Sequence, residues 1–341
     1  MNVVTRFLNK NPWPVVVVIL ACFVAGLVYT TDYVLNTVQP RQRAAFQAKV
    51  AAEIDEGDAK FERRRYDSAL KVYRFVLAAY EDEIDAEVAG RLHHRIGECR
   101  LHMAKRKNEK ENLAKSIAAF AKSLKLRSLE TAPEAYAETQ TALGKAHYAS
   151  GKSSGNSQET DAAIAAYGKA LAVHTREAAP LRYAALQNLI GNAYRESFQP
   201  GRGQDDSKME PAFAAYREAL KFFRAKEHPQ AYGQAHVDTG LAHMMLAQGN
   251  FPRTNTRKAL AEYEEALTVF TKAKAPRDFG RTQRHVGDAY TLLWRNASER
   301  SGRRSREWRQ RFRFQREAER AYELASRFGA RRIFSGNGNL K

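Results

Sequence analysis

The decapeptide Ala149–Gln158, ASGKSSGNSQ, is the stretch of this chain most suited by composition to cradling a phosphate. Gly151-Lys152-Ser153 matches the close of a nucleotide-binding loop, in which backbone N–H groups and a lysine wrap the phosphates. The full motif needs a second glycine five positions earlier, between a strand and a helix, and that position is Ala146. Nucleotide chemistry is therefore not expected, and the stretch reads as a small polar loop. His93, His94, Cys99 and His102 carry metal-ligand atoms. At 100° per residue, Cys99 and His102 share a helix face while His94 lies well around from Cys99, so the three or four ligands of a tight site do not converge. No H-E-x-x-H, no G-x-S-x-G and no nucleophile beside a base and an orienting group occurs. A non-enzymatic protein with no cofactor and no metal is the expectation.

The elements that position these residues are set by an internal repeat. Pro133-Glu-Ala-Tyr136-Ala, Pro180-Leu-Arg-Tyr183-Ala, Pro229-Gln-Ala-Tyr232-Gly and Pro276-Arg-Asp-Phe279-Gly share one pattern. A glycine follows each proline by eleven residues, giving Gly144, Gly191, Gly240 and Gly287, with Gly97 as an earlier member. Consecutive glycines are 47, 47, 49 and 47 residues apart. A second text, A-x3-Y-x2-A-L, recurs at Ala163, Ala212 and Ala259, with weaker copies at Ser116 and Ala318. Spacings of three, four and seven put small and aromatic residues on one helical face. Proline suits the first turn of a helix, where its missing N–H is not needed. Each unit is thus a hairpin of two helices, and because a single hairpin cannot bury its apolar face, the units must stack.

Leu143-Gly144, Ile190-Gly191-x2-Tyr194 and Val286-Gly287-x2-Tyr290 resemble the first helix of the tetratricopeptide repeat (TPR), and the A-x3-[FY]-x2-A-L pieces resemble its second helix. Gly57, Tyr66, Ala69 and Tyr73 resemble a further unit upstream. The resemblance covers residues 46–328 and implies an all-α, TPR-like helical-hairpin solenoid of about six units. The sequence departs from the family in its longer period, and Gln140, Gln187, His236 and Gln283 stand in place of the family's tryptophan. The resemblance implies protein–protein interaction, with first helices lining a concave groove. The positions three before and one after each glycine would then face a partner: His94 and Glu98, Thr141 and Lys145, Asn188 and Asn192, Val237 and Leu241, Arg284 and Asp288. Asn188 and Asn192, with Arg195 one turn on and Arg281 as a later cation, resemble the carboxylate clamp of chaperone-binding TPR proteins. Asp238 departs from that clamp, which would place a neutral amide there. Long loops between the helices of each unit, near 105–112, 149–158, 200–208, 249–257 and 296–306, are expected to form a second partner edge.

Charge is uneven along the chain. The net charge is +18, and residues 295–341 carry 14 Lys/Arg against 5 Asp/Glu, half of that excess. Within this segment Arg303, Arg304, Arg306, Arg309, Arg311 and Arg313 interleave with Trp308, Phe312 and Phe314. Such text suits nucleic acid or an anionic lipid surface. Phe314, Ala318, Ala321, Tyr322, Ala325 and Phe328 also form a helical stripe, so the alternative is a last helix that caps the stack with its arginines solvated.

Residues 13–35 form an uncharged apolar run apart from Asp32. As a helix, Trp13 to Tyr33 would span about 31 Å, matching a bilayer core, with Trp13, Tyr29 and Tyr33 at its interfaces. A cleaved signal peptide ending near Val24-Ala25-Gly26 and a lipoprotein box at Ile19–Cys22 are the rivals. Of the two cysteines only Cys99 lies outside this run, which leaves no disulfide framework. The organisation expected is a basic tail (1–12), a transmembrane helix (13–35), a linker (36–45), the solenoid (46–328) and a flexible tail (329–341). A short basic front favours a bacterial inner-membrane anchor with the solenoid in the periplasm. A cytoplasmic solenoid or an organelle membrane stays open.

Overall fold

The computed structural model describes residues 23–25, 27–31, 34–35, 39–198, 205–297 and 306–328. The chain divides into two compact units, Met1–Ile84 and Asp85–Lys341. In the first unit, α1 (Gln39–Glu62) and α2 (Tyr66–Ala79) form a hairpin. Residues 39–45, expected as linker, are the start of α1. No helix among the described residues is long and apolar enough to cross a membrane. Residues 13–22 of the expected span lie outside the described residues.

The second unit is a stack of five hairpins: α3 (Ala86–Ala104) with α4 (Glu109–Leu126), α5 (Pro133–Ser154) with α6 (Ser157–Leu171), α7 (Pro180–Ser197) with α8 (Glu210–Leu220), α9 (Pro229–Leu246) with α10 (Pro252–Val269), and α11 (Pro276–Arg295) with α12 (Arg306–Arg327). Pro133, Pro180, Pro229 and Pro276 each open a first helix, as their fixed φ favours. Asp85 and Asn156 cap α3 and α6 by accepting the N–H of Val88 and Gln158.

One contact explains the repeat. A Cβ added at Gly97, Gly144, Gly191, Gly240 or Gly287 would lie 2.5, 2.4, 2.5, 2.4 or 2.8 Å from a ring atom of Phe120, Tyr167, Tyr216, Tyr263 or Tyr322. Gly57 and Tyr73 repeat the arrangement in the first unit at 2.6 Å. The ring seals its own hairpin and then meets the next one. Phe120 clusters with Ala142 and Ala146 of α5, Tyr167 with Leu186 and Ile190 of α7, Tyr216 with Ala242 and Leu246 of α9, and Tyr263 with Ala289 and Leu293 of α11. Glycine is required because any larger side chain would occupy the ring's place.

The loops expected near 105–112, 149–158 and 249–257 are instead short. α5 runs through Gly151-Lys152-Ser153 to Ser154, and only Gly155 and Asn156 separate it from α6. Ser154 Oγ donates back to the Ser150 carbonyl at 2.7 Å, and Gly155, at φ +70°, ends the helix in the left-handed conformation. A Cβ at Gly151 would meet Thr160 Cγ2 at 2.9 Å, so this face holds packing rather than a phosphate. Packing against α6 overrides the weak helix propensity of the Gly/Ser run. The residues that lengthen the period beyond the usual TPR therefore extend helices in this unit. The expected loops at 200–208 and 296–306 fall largely outside the described residues.

Candidate functional site

The first helices α3, α5 and α7 enclose an open cavity of about 620 Å³. His94, Glu98, Thr141 and Lys145, all expected to face the groove, line it. Arg91, Arg95, Arg127 and Arg182 join them, so five cations stand against the carboxylates of Glu98 and Glu138. Several of these charges are tied down. Arg95 pairs with Glu98 at 2.9 Å, Arg127 with Glu87 at 2.8 Å, and Arg182 with Glu134 at 2.7 Å. Lys145 has no ion pair among the described residues. Its ammonium reaches solvent, yet the crowding walls desolvate it and lower its pKa, with Glu98 opposing.

Two histidines complete the cavity in their neutral forms. His94 Nδ1 lies 3.0 Å from Thr139 Oγ1, whose own proton goes to the Ala135 carbonyl at 2.7 Å. Nδ1 must therefore donate, which leaves the Nε2 lone pair 3.7 Å from Glu98. His174 is 3% exposed and its Nδ1 has no hydrogen-bond partner. Burial lowers the pKa of both rings.

A position in the repeat marks this cavity. Seven residues beyond the sealing aromatic of α8 and α10 stand Phe223 and Phe270, both buried. The same position after α4 and α6 holds Arg127 and His174. Two adjacent units thus carry polar groups where the two that follow carry a buried phenylalanine, and the cavity opens there. The periodic text of the sequence contains this departure. The position lies in the turn between hairpins, beyond the motifs that define the period.

Asn188, Asn192 and Arg195 are brought together, but around a group of the chain itself. The Nδ2 atoms of Asn188 and Asn192 donate to Asp238 Oδ2 at 2.9 and 3.1 Å, and Gln234 Nε2 donates to Oδ1 at 3.1 Å. Arg195 Nη1 lies 3.6 Å from Oδ1 and donates to the Asp238 carbonyl at 3.2 Å and to the Tyr216 hydroxyl at 3.3 Å. Tyr216 in turn donates to Asn192 Oδ1 at 2.9 Å. Arg195 and Asp238 are both buried, at 6% and 5% exposure. The clamp expected for a ligand carboxylate is therefore filled by the carboxylate of α9, and it ties α7 to α9.

Arg281 is exposed and pairs with Asp278 at 2.5 Å on its own helix. Arg284 buries its Nε without a hydrogen-bond partner. Its neighbour His285 lies over the Tyr263 ring at 5.7 Å between centroids. Burial first, then the charges of Arg284, Arg195 and Arg281, push the His285 pKa down to about 4.

No known protein family's profile and no curated protein matches this chain. Among solved structures, the crystal structure of the apo form of RapI is similar, with a TM-score of 0.52 and 13% identity. The likeness covers 82% of this chain and 97% of that one. What the two share is the fold, an all-α stack of TPR-like hairpins.

The His/Cys cluster does not converge: Cys99 is buried in the core and His94 turns to Thr139. No group of three His, Cys, Asp or Glu side chains suited to a metal occurs among the described residues. Of the C-terminal arginines, Arg303 and Arg304 lie outside the described residues, and Arg306 begins α12. Arg309 and Arg313 are exposed, whereas Arg311 turns back over the Trp294 ring at 5.0 Å. Ala318, Ala321 and Ala325 are buried, Tyr322 abuts Gly287, and Phe328 packs on Phe279 with centroids 5.3 Å apart. The helix closes the stack.

Proposed function

We propose that this chain is a non-catalytic scaffold that docks an acidic segment of a protein partner on its first-helix face. The observation that carries the reading is the cationic cavity of α3, α5 and α7, in which Lys145 stands without an ion pair. A partner carboxylate would meet Lys145, while the Nε2 lone pair of His94 would accept a hydrogen bond from a partner N–H. Arg284 and Arg281 offer a second cationic stop farther along the same face. Asn188, Asn192 and Arg195 serve the partner indirectly, by holding α7 and α9 in register.

Anchoring through residues 13–35, with the stack held outside the cytoplasm, is the second part of the proposal. The apolar run, charged only at Asp32, and its flanking aromatics support it. A topology assay with reporters fused after Lys341 tests it, since signal from a cytoplasm-specific reporter alone overturns that orientation.

The groove is tested with a photoreactive residue placed at Thr141 and, as a control, at the exposed Lys169 of α6. A discrete adduct is expected at the first site and none at the second. Charge reversal in Lys145→Glu/Arg182→Glu should abolish the adduct. Equal labelling at both sites, or labelling indifferent to charge reversal, refutes the groove.

A further inference from the structure

We propose that the outer face of α12 docks flat on an anionic lipid surface. Arg309, Arg313, Arg316 and Arg320 recur at intervals of four, three and four residues, within a narrow sector of one helix face. All four are exposed, and none forms an ion pair among the described residues. The row is about 17 Å long at 1.5 Å per residue. Its direction is fixed, because the opposite face is locked into the stack through Ala318, Ala321 and Ala325, and Tyr322 is set against Gly287. The arginines therefore cannot rotate inward when no partner is present. Arg311 is excluded from the row by its stacking on Trp294, and Arg327 by its pair with Glu323 at 2.5 Å.

The form of the row favours lipid over nucleic acid. A flat headgroup layer accepts a single straight row of cations at any register, each arginine contributing to attraction. Specific duplex readout combines arginine, which reads guanine, with amide and apolar side chains for the other bases, and this row holds only arginine. Single strands need successive aromatic platforms. Among the described side chains, the exposed aromatic beside the row is Phe312, 45% exposed, with Arg316 placed 5.1 Å from its centroid. An exposed ring beside a basic row suits shallow insertion among headgroups. The inference is independent of the groove and of residues 13–35.

The test compares the full-length chain with its R309Q/R313Q/R316Q/R320Q variant, so that both carry the same N-terminal run. Binding to phosphatidylcholine vesicles should be the same for the two. On vesicles that also contain phosphatidylglycerol, the variant should bind more weakly by roughly fivefold per arginine, several hundredfold in all, with a loss of salt dependence. Hydrogen exchange across Arg306–Arg327 should slow in the parent chain on the anionic vesicles alone, which keeps the reading testable if the N-terminal run dominates affinity. The proposal is overturned if α12 exchanges identically on both vesicle types. It is equally overturned if the variant keeps its vesicle binding while losing affinity for a nucleic-acid oligomer.

Discussion

Replacing Gly144 by alanine sets two effects of opposite sign against each other. Within a helix interior, glycine to alanine is favourable by ~1 kcal/mol, because the backbone loses less freedom on folding. Against that, the new Cβ would lie 2.4 Å from Tyr167 Cε1 and 2.6 Å from Cδ1. Carbon atoms pack at about 3.5–4 Å, so the ring would have to retreat by roughly 1 Å. It has nowhere to go, since Tyr167 is 0% exposed and packed with Ala163, Leu186 and Ile190. Overpacking of that kind costs ~1–3 kcal/mol, and a double clash with a trapped ring belongs at the upper end. The net expectation for Gly144→Ala is a loss of about 1–2 kcal/mol. Gly168, in the same hairpin, supplies the control. It is exposed in α6 with nothing within 4 Å of an added Cβ, so Gly168→Ala should stabilise. That gain should be ~0.8–1 kcal/mol. Hairpin stacks need not unfold in one step, so hydrogen exchange of α5 and α6 amides is the suitable assay. Gly144→Ala/Tyr167→Leu should recover part of the loss. If Gly144→Ala stabilises as Gly168→Ala does, the sealing contact does not govern the hairpin.

Other outcomes follow from the same contacts. Asp238→Ala leaves the Arg195 guanidinium buried without its carboxylate, and should weaken the α7–α9 junction by ~3–5 kcal/mol in local hydrogen exchange. An effect below about 1 kcal/mol would mean that the network is incidental. Burial pushes the pKa of His243 and His285 down to about 4 in the folded chain. The unfolded chain binds those protons near pH ~6.5, so stability should hold above that value and fall as the pH drops toward 4. A melting temperature indifferent to pH in this window, or unchanged in its pH profile by His285→Phe, contradicts that account. His174→Phe restores the apolar plug of the later units and removes a buried nitrogen without a partner. It should stabilise α6–α7 by ~1 kcal/mol while weakening labelling at Thr141.

The hairpin repeat was legible because it is carried by spacing. A glycine on one helix and an aromatic on the next recur at a fixed distance, and only a small residue leaves room for a ring. The prolines that open α5, α7, α9 and α11 could be placed for the same local reason. The ends of the first helices could not, since Gly151-Lys152-Ser153 has loop-like propensity and is held helical by its contact with α6. Lys145 and Thr141 could be assigned to the groove from their offset to Gly144. Arg127 and His174 could not, because turns outside the period bring them to the same cavity.

The clearest division lies at Asp238. The resemblance to the carboxylate clamp of chaperone-binding TPR proteins marked Asn188, Asn192 and Arg195 as a receptor for a carboxylate. Whose carboxylate they receive depends on how α9 packs against α7, across some fifty residues of chain. Local chemistry and period are written along the sequence, whereas a buried charge finds its partner only when helices distant in the chain close on each other.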